Sequence, residues 1–371
     1  MLKKLTKRLH SHAVENRYKE IWVFFTRLGI FGFGGPLALV SSMYKYCVEE
    51  KQWISHREFN ATFSLIKALP GPIAFMMTVT LGRIRGGFWG GLLAGIALNL
   101  PAFCLMILFS LFFSSISDLS FVHFLMIGMQ VAALGVILGS LKGLVKGNEA
   151  NLFFWFLVVL SGVINFYRPA TEPIFILLFG LFLILLRKYE RSKHSLNDLG
   201  TLAFVCFKAG SLVFGSGLAI VPMLQHDVVD KYKWLTQSEF LDALAFGQMT
   251  PGPVVITATY IGHRMHGMPG AVVATVAMFA MAFIHMNTWF PHVMKKLHDR
   301  AWINDFLFGA LAAVVGPIIV AVIRLGMGIS LTPFLYVLAF VSFIATLQGK
   351  IPLWLIIPIG GVLSWVASYF L

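Results

Sequence analysis

Charge is what this chain has least of. Only 12% of its residues are Asp, Glu, Lys or Arg, against about 25% in an ordinary soluble domain, and 58% are hydrophobic. So few charged groups cannot cover a soluble core built from 371 residues, so lipid must be the solvent for most of the chain. A cytosolic enzyme, a secreted disulfide scaffold and a nucleic-acid module are excluded. Acids are scarcer than bases: 16 Asp and Glu face 29 Lys and Arg, a net charge of +13. In a soluble protein that balance would suggest nucleic acid. Here the bases gather at the ends of apolar segments, where they snorkel to headgroups and set topology, so no nucleic-acid partner is expected. The same positive field attracts an anionic substrate. Cysteine is nearly absent. Cys47, Cys104 and Cys206 share no metal-type spacing and read as small buried hydrophobes, and neither a metal nor another cofactor is expected. HExxH, a P-loop and paired intramembrane aspartates are all missing. His263 and His266 have i,i+3 spacing but no third ligand.

The N-terminus, LKKLTKRLHSHAVENRYKE, lacks the apolar core and small-residue cleavage site of a signal peptide. Leu2, Leu5 and Leu9 recur at helical spacing with Lys3, Lys4, Lys7 and Arg8 between them. That pattern predicts a short basic amphipathic helix on an anionic cytoplasmic leaflet, as in a bacterial-type inner membrane.

What is present is a series of twelve apolar segments between 21 and 370, each near the 20 or so residues that a spanning helix needs. Four carry interior breakers: GFGGP at 32–36 in segment 21–43, LPGP at 69–72 in 57–80, FGSG at 214–217 in 201–224, and TPGP at 250–253 in 239–261. A shift of 181 residues superimposes the first pair on the second. Gly29 falls on Gly210, Phe33-Gly34 on Phe214-Gly215, Trp53 on Trp234, Glu58-Phe59 on Glu239-Phe240, and Pro70-Gly71-Pro72 on Pro251-Gly252-Pro253. Arg27 meets Lys208, Arg83 meets Arg264, and Gly86 meets Gly267. This is an internal duplication. It predicts an all-α polytopic membrane protein with two homologous halves, 1–190 and 199–371. Each half has about five to six transmembrane or re-entrant helices, broken at matching positions. A charged linker, RKYERSKHSLND, lies at 187–198. A basic N-terminus and linker suit parallel halves, whereas the basic loop at Lys295, Lys296 and Arg300 suits inverted ones, and both arrangements fit the charges.

Pro-Gly-Pro removes two backbone donors and stops the helical ladder. Lipid cannot satisfy the freed groups, so such a break survives only inside protein or beside a wet cavity. Matched breaks in two halves point to a transporter site whose half-helix N-termini favour an anion, although single glycines and prolines also serve as packing kinks. The expected substrate-binding residues are Arg27, Gly34, Gly35, Lys67, Pro70, Gly71 and Pro72 in the first half. In the second they are Lys208, Gly215, Ser216, Gly217, Gln248, Thr250, Pro251, Gly252 and Pro253. Arg83 and Arg264 fit headgroup snorkelling and substrate contact equally. Ser55/Glu58 and Thr236/Glu239 fit capping boxes at helix starts. His285, inside an apolar run, and Asp242, whose repeat mate is Ala61, are the candidates for carrying a proton.

At these residues the chain resembles the chromate ion transporter family. The motifs are FGFGGP (31–36), WISHREF (53–59), KALPGP (67–72), GGFWGGLLAG (86–95) and LPAF (100–103), then FGSG (214–217), WLTQSEF (234–240), GQMTPGP (247–253) and GHRMHGMPGA (262–271). The resemblance implies a secondary transporter that exports chromate, a tetrahedral dianion like sulfate, by antiport driven by the proton gradient, with oppositely oriented halves. It departs from the family pattern where Lys67 replaces the usual Gln, Ser216 a Gly, and MAFIHMN (281–287) an LPSF-like step. The expected partners are an inorganic oxyanion, the lipid bilayer, protons and a second copy in a homodimer. A transporter or passive channel for another anion is the alternative. An intramembrane serine protease using Ser216 and His285 is a weaker one, since the repeat already accounts for the Gly-Ser-Gly stretch as a helix break.

Overall fold

The computed structural model describes residues 2–33, 35–67, 69–116, 119–146, 148–149, 151–167, 199–213, 217–291, 301–329 and 332–369. The side chains of 2–15, 114–116, 301–307 and 310 are not described. All described regular structure is helical. The first half runs α1 (Leu2–Phe31), α2 (Gly35–Tyr44) with a π-helical extension (Lys45–Glu50), α3 (His56–Lys67), α4 (Ile73–Ile116), α5 (Ser120–Val145) and α6 (Leu152–Tyr167). The second runs α7 (Leu199–Ser211), α8 (Ile220–Leu224) with a π-helical extension (Gln225–Lys231), α9 (Gln237–Met249), α10 (Thr257–Asn287), α11 (Ala301–Met327), α12 (Pro333–Gln348) and α13 (Leu353–Ala367). The predicted segment at 173–187, the linker at 187–198 and the basic loop at Lys295, Lys296 and Arg300 lie outside the described residues. The basic N-terminal stretch is not a separate short helix but the start of α1, which continues unbroken to Phe31.

The predicted spans at 21–43, 57–80, 201–224 and 239–261 are not single helices, because each turns back at its break. Phe24 stacks on Tyr46, Glu20 pairs with Lys51, and Leu39 fills the space over Gly32, so α1 and α2 form a hairpin that turns after Gly32. Glu239 meets Arg264, and Phe246 meets Tyr260, so α9 and the start of α10 form another with its tip at 250–253. Removal of backbone donors stops the ladder, and glycines with positive φ (Gly71 at 136°, Gly252 at 101°) permit the reversal.

A second reversal follows. Gly87 has φ 66°, and the chain folds so tightly that a Cβ on Gly82 would lie 2.5 Å from the carbonyl oxygen of Gly90. Residues 73–85 and 88–116 are therefore antiparallel arms. The same turn occurs at His266–Gly267, where Gly262 meets Gly270. The long arm 88–116 spans roughly 44 Å at 1.5 Å per residue, enough to cross a bilayer.

The halves are inverted. Ile21 lies at Gly90 and the Tyr18 hydroxyl donates to the Gly86 carbonyl, so the first-half hairpins open at the start of the 88–116 arm. His263 bonds Ser110 and Phe246 stacks on Phe109, so the second-half hairpins open at its other end. The remaining helices interlock across the halves. In α5, Gly135 packs on Ala339 and Ser342 of α12, and Gly128 packs on Gly360 of α13. Gly316 of α11 packs on Val158 and Ser161 of α6. Small residues let the backbones approach where lipid supplies no hydrophobic drive.

The shift of 181 holds in detail up to the breaks. Lys51 N–H donates to the Tyr46 carbonyl and Tyr232 N–H to that of Asp227, while Gln52 and Lys233 share φ near 50°. It resumes where α5 and α11, and α6 and α12, begin at matching positions. Between them it slips by one, so the turn pairs Gly87, not Gly86, with Gly267. The cause is a 3₁₀ turn at Val254–Ile256. Its rise of about 2.0 Å per residue, against 1.5 Å in an α-helix, lets three residues cover the length of four. Arg83 is thus the structural counterpart of His263 rather than of Arg264. Cys104 is exposed on its helix, unlike buried Cys47 and Cys206.

Candidate functional site

The four breaks meet, and they meet crosswise. The Gly71 N–H donates to the Val213 carbonyl at 2.6 Å, and the Gly252 N–H donates to the Gly32 carbonyl at 3.3 Å. Gly71 and Gly252 are repeat mates, as are Gly32 and Val213, so each Pro-Gly-Pro tip of one half is tied to the Gly-rich tip of the other. Inversion makes this geometry possible, because hairpins entering from opposite ends bring their tips to one level. Ala102, midway along the 88–116 arm, lies 3.9 Å from where a Gly252 Cβ would stand, and Ala282 lies 3.1 Å from that of Gly71. At each tip a helix begins (α2, α4, α8, and α10 through its 3₁₀ turn), and the unsatisfied N–H groups of such ends favour negative charge.

Around this crossing stand neutral side chains with polar atoms unpaired among the described residues. Gln248, one turn before Gly252, is 7% exposed, and its Nε2 has no partner. His285, one turn after Ala282, is 7% exposed. It lies against the Pro70 carbonyl and leaves Nδ1 free. Asn99, one turn before Ala102, is 8% exposed with Oδ1 unpaired. Sequence reasoning passed over Asn99, although a lone amide in the run GIALNLPAF was a legible signal. A buried amide without a partner costs about 1–3 kcal/mol, which a polar ligand would offset.

The expected cations are placed less uniformly. Arg27 is exposed, five residues before Gly32, with no partner among the described residues. Lys67 is exposed at the end of α3, its Nζ 4.3 Å from the centre of the Phe63 ring. Lys208, five residues before Val213, pairs with the buried Asp227 at 2.5 Å. Asp227 was missed because HDVVDK reads as a polar surface turn and its repeat mate is Tyr46. Gly35 (φ 81°) starts α2 and has open space where a Cβ would be. Gly217 (φ 88°) faces Val255. Gly34, Gly215 and Ser216 lie outside the described residues. Thr250 donates to the carbonyl of Gly247 in its own helix, at 3.0 Å.

Asp242 is not brought to the crossing. It sits two turns nearer the open end of its hairpin, where Gln130 of α5 donates to it at 2.7 Å beside a cavity of about 70 Å³ lined by Phe113, His123 and Ser238. Arg264 is engaged by Glu239 at 2.6 Å, and Arg83 donates to the Asn287 carbonyl at the end of α10. Both capping boxes are formed. Ser55 N–H donates to Glu58 at 3.1 Å and Thr236 N–H to Glu239 at 2.9 Å, each returned by a glutamate N–H to the hydroxyl. Hydrogen bonds from Ser55 hold the Glu58 carboxyl below the usual range. For Glu239 burial pushes upward, but bonds from Thr236 and Arg264 win and the net shift is downward.

The family model described as chromate transporter matches twice, over residues 19–185 and 200–365. The chain is 33% identical over 342 residues to a probable chromate transport protein of Synechococcus elongatus, covering 86% of each chain. It is 32% identical over 333 residues to the chromate transport protein of Cupriavidus metallidurans, covering 83% of this chain and 82% of that one. An uncharacterized transporter of Methanocaldococcus jannaschii is 25% identical over 94% of both. No solved structure matches.

Proposed function

The chain belongs to the chromate transporter family, and from that premise we propose that this multi-pass membrane protein exports chromate or a similar tetrahedral oxyanion, linked to protons. The observation that carries the reading is the crosswise pairing of the four breaks, which puts helix N-termini from both ends of the molecule around one point. A tetrahedral dianion needs donors converging from several directions. Backbone N–H groups, Gln248, Asn99 and His285 can supply them, and Arg27 supplies positive charge on the approach. Two inverted halves sharing one central site can expose it alternately by rocking about that point. The basic residues at Lys3, Lys4, Lys7 and Arg8 favour a cytoplasmic N-terminus in an inner membrane.

His285 is the titratable group at the crossing, which ranks it above the more distant Asp242 as a proton carrier. The test is oxyanion flux in vesicles with an imposed pH gradient. His285→Gln should leave oxyanion binding measurable and weaken the dependence of flux on the gradient. Parental gradient dependence in that variant reduces His285 to a packing role. Flux indifferent to the gradient in the parent itself identifies a passive channel.

A further inference from the structure

The two halves differ at one buried contact. In the first half the cation before the Gly-rich tip, Arg27, faces no acid among the described residues, and Tyr46 holds the position that Asp227 has in the second. In the second half the corresponding Lys208 is bound at 2.5 Å by Asp227, the repeat mate of Tyr46. Asp227 is 1% exposed, and among the described residues its ion-pair partner is Lys208. The Lys208 side chain keeps 15% exposure. From α7 the Cys206 thiol also faces Asp227, as does the neighbouring His226, which in turn feels Lys208, Asp230 and Lys231.

We propose that Asp227 is a tethered anion that holds Lys208 until an oxyanion replaces it, and that the replacement takes up a proton. This rests on the oxyanion-transport reading, and charge balance requires it. Lys208 stands a turn and a half before Val213, the residue tied to Gly71, so its ammonium can turn from Asp227 toward an anion at the crossing. If it did so alone, a carboxylate would remain buried without a countercharge. Losing one partner of a buried pair is strongly unfavourable. The carboxylate avoids that cost by taking one proton from solvent to become the neutral acid, while Lys208 keeps its own proton and its charge. Anion and proton therefore bind together at this place. The sign differs from that of a proton antiporter, because the proton travels with the dianion and the membrane potential acts on the remaining negative charge to drive export. Tyr46 leaves the first half without this linkage, so the pair of repeats carries it once.

The test is calorimetric binding of sulfate, molybdate and chromate to the purified full-length protein at pH 8, in buffers of different ionisation enthalpy. All three ligands are then dianions, so any proton taken up enters the protein. The parent should take up protons on binding, and Asp227→Asn should take up about one fewer per anion while binding more tightly. Binding to the parent without proton uptake overturns the proposal and needs no variant. Equal uptake by parent and Asp227→Asn overturns it too, and both outcomes leave oxyanion transport standing. Failure of all three anions to bind the parent at any pH overturns the transport reading and this inference with it.

Discussion

Gly71 and Gly252 are mates in the repeat but not in their surroundings, and alanine should separate the two. Both have φ values that only glycine tolerates comfortably, 136° and 101°. A side chain at either costs roughly 1–3 kcal/mol in backbone strain. At Gly252 that is the whole cost, because the nearest atom to a new Cβ is that of Ala102 at 3.9 Å, an ordinary contact. At Gly71 a Cβ would meet the Met76 sulfur at 2.9 Å and the Ala282 Cβ at 3.1 Å. The sulfur can swing aside, but Ala282 belongs to α10 of the other half. Overpacking of this kind adds about 1–3 kcal/mol. Gly71→Ala should therefore cost roughly 2–6 kcal/mol in all, clearly more than Gly252→Ala. Adding Ala282→Gly should return part of the loss, as a favourable coupling of about 0.5–3 kcal/mol in a double-mutant cycle. Reversible unfolding in mixed micelles gives the energies, and oxyanion uptake by vesicles gives the functional readout. Equal losses for the two alanines, or strict additivity of Gly71→Ala with Ala282→Gly, would show that the tips do not press on the opposite half as described.

Other expectations follow from the same geometry. Lys67→Gln should change oxyanion affinity by under about threefold, since Lys67 lies over Phe63 rather than at the crossing. Gln248→Ala should weaken affinity about tenfold to a hundredfold, the value of a hydrogen bond to a charged group, in the same binding assay. Gln130→Leu strips the donor from buried Asp242 and should destabilise the fold by about 1–3 kcal/mol, an effect that adding Asp242→Leu should partly reverse. Glu58 and Glu239 have depressed folded values, so their stabilisation is full above the unfolded glutamate value of about 4.3 and is lost as pH falls through the folded values. Thermal unfolding against pH should then show less acid sensitivity in Glu58→Gln and Glu239→Gln than in the parent.

How much of this was legible in the residues varies with the kind of information each feature needs. The breaks and their duplication are local chemistry, and the capping boxes are four-residue patterns, so all could be read directly. The direction in which a chain leaves a break is not local. Pro70-Gly71-Pro72 says that the ladder stops, but the reversal depends on the Gly71 φ and on the carbonyl of Val213 waiting in the other half. The one-residue slip was hidden because Gly86 and Gly87 both offer a plausible mate for Gly267, and only the 3₁₀ turn at Val254–Ile256 decides between them. The pairing of Lys208 with Asp227, and of Gln130 with Asp242, joins elements whose approach no pattern along the chain announces.

The central claim, that an oxyanion crosses the membrane through the meeting point of the four breaks, is tested most directly by uptake into inverted vesicles. The panel is chromate, sulfate, molybdate and phosphate, with the parent beside Gly252→Leu. A leucine there fills the approach to the backbone without changing any charge. The account predicts energised accumulation of chromate or another tetrahedral dianion by the parent, and none by the variant at equal membrane abundance. Uptake by Gly252→Leu at the parental rate would contradict it.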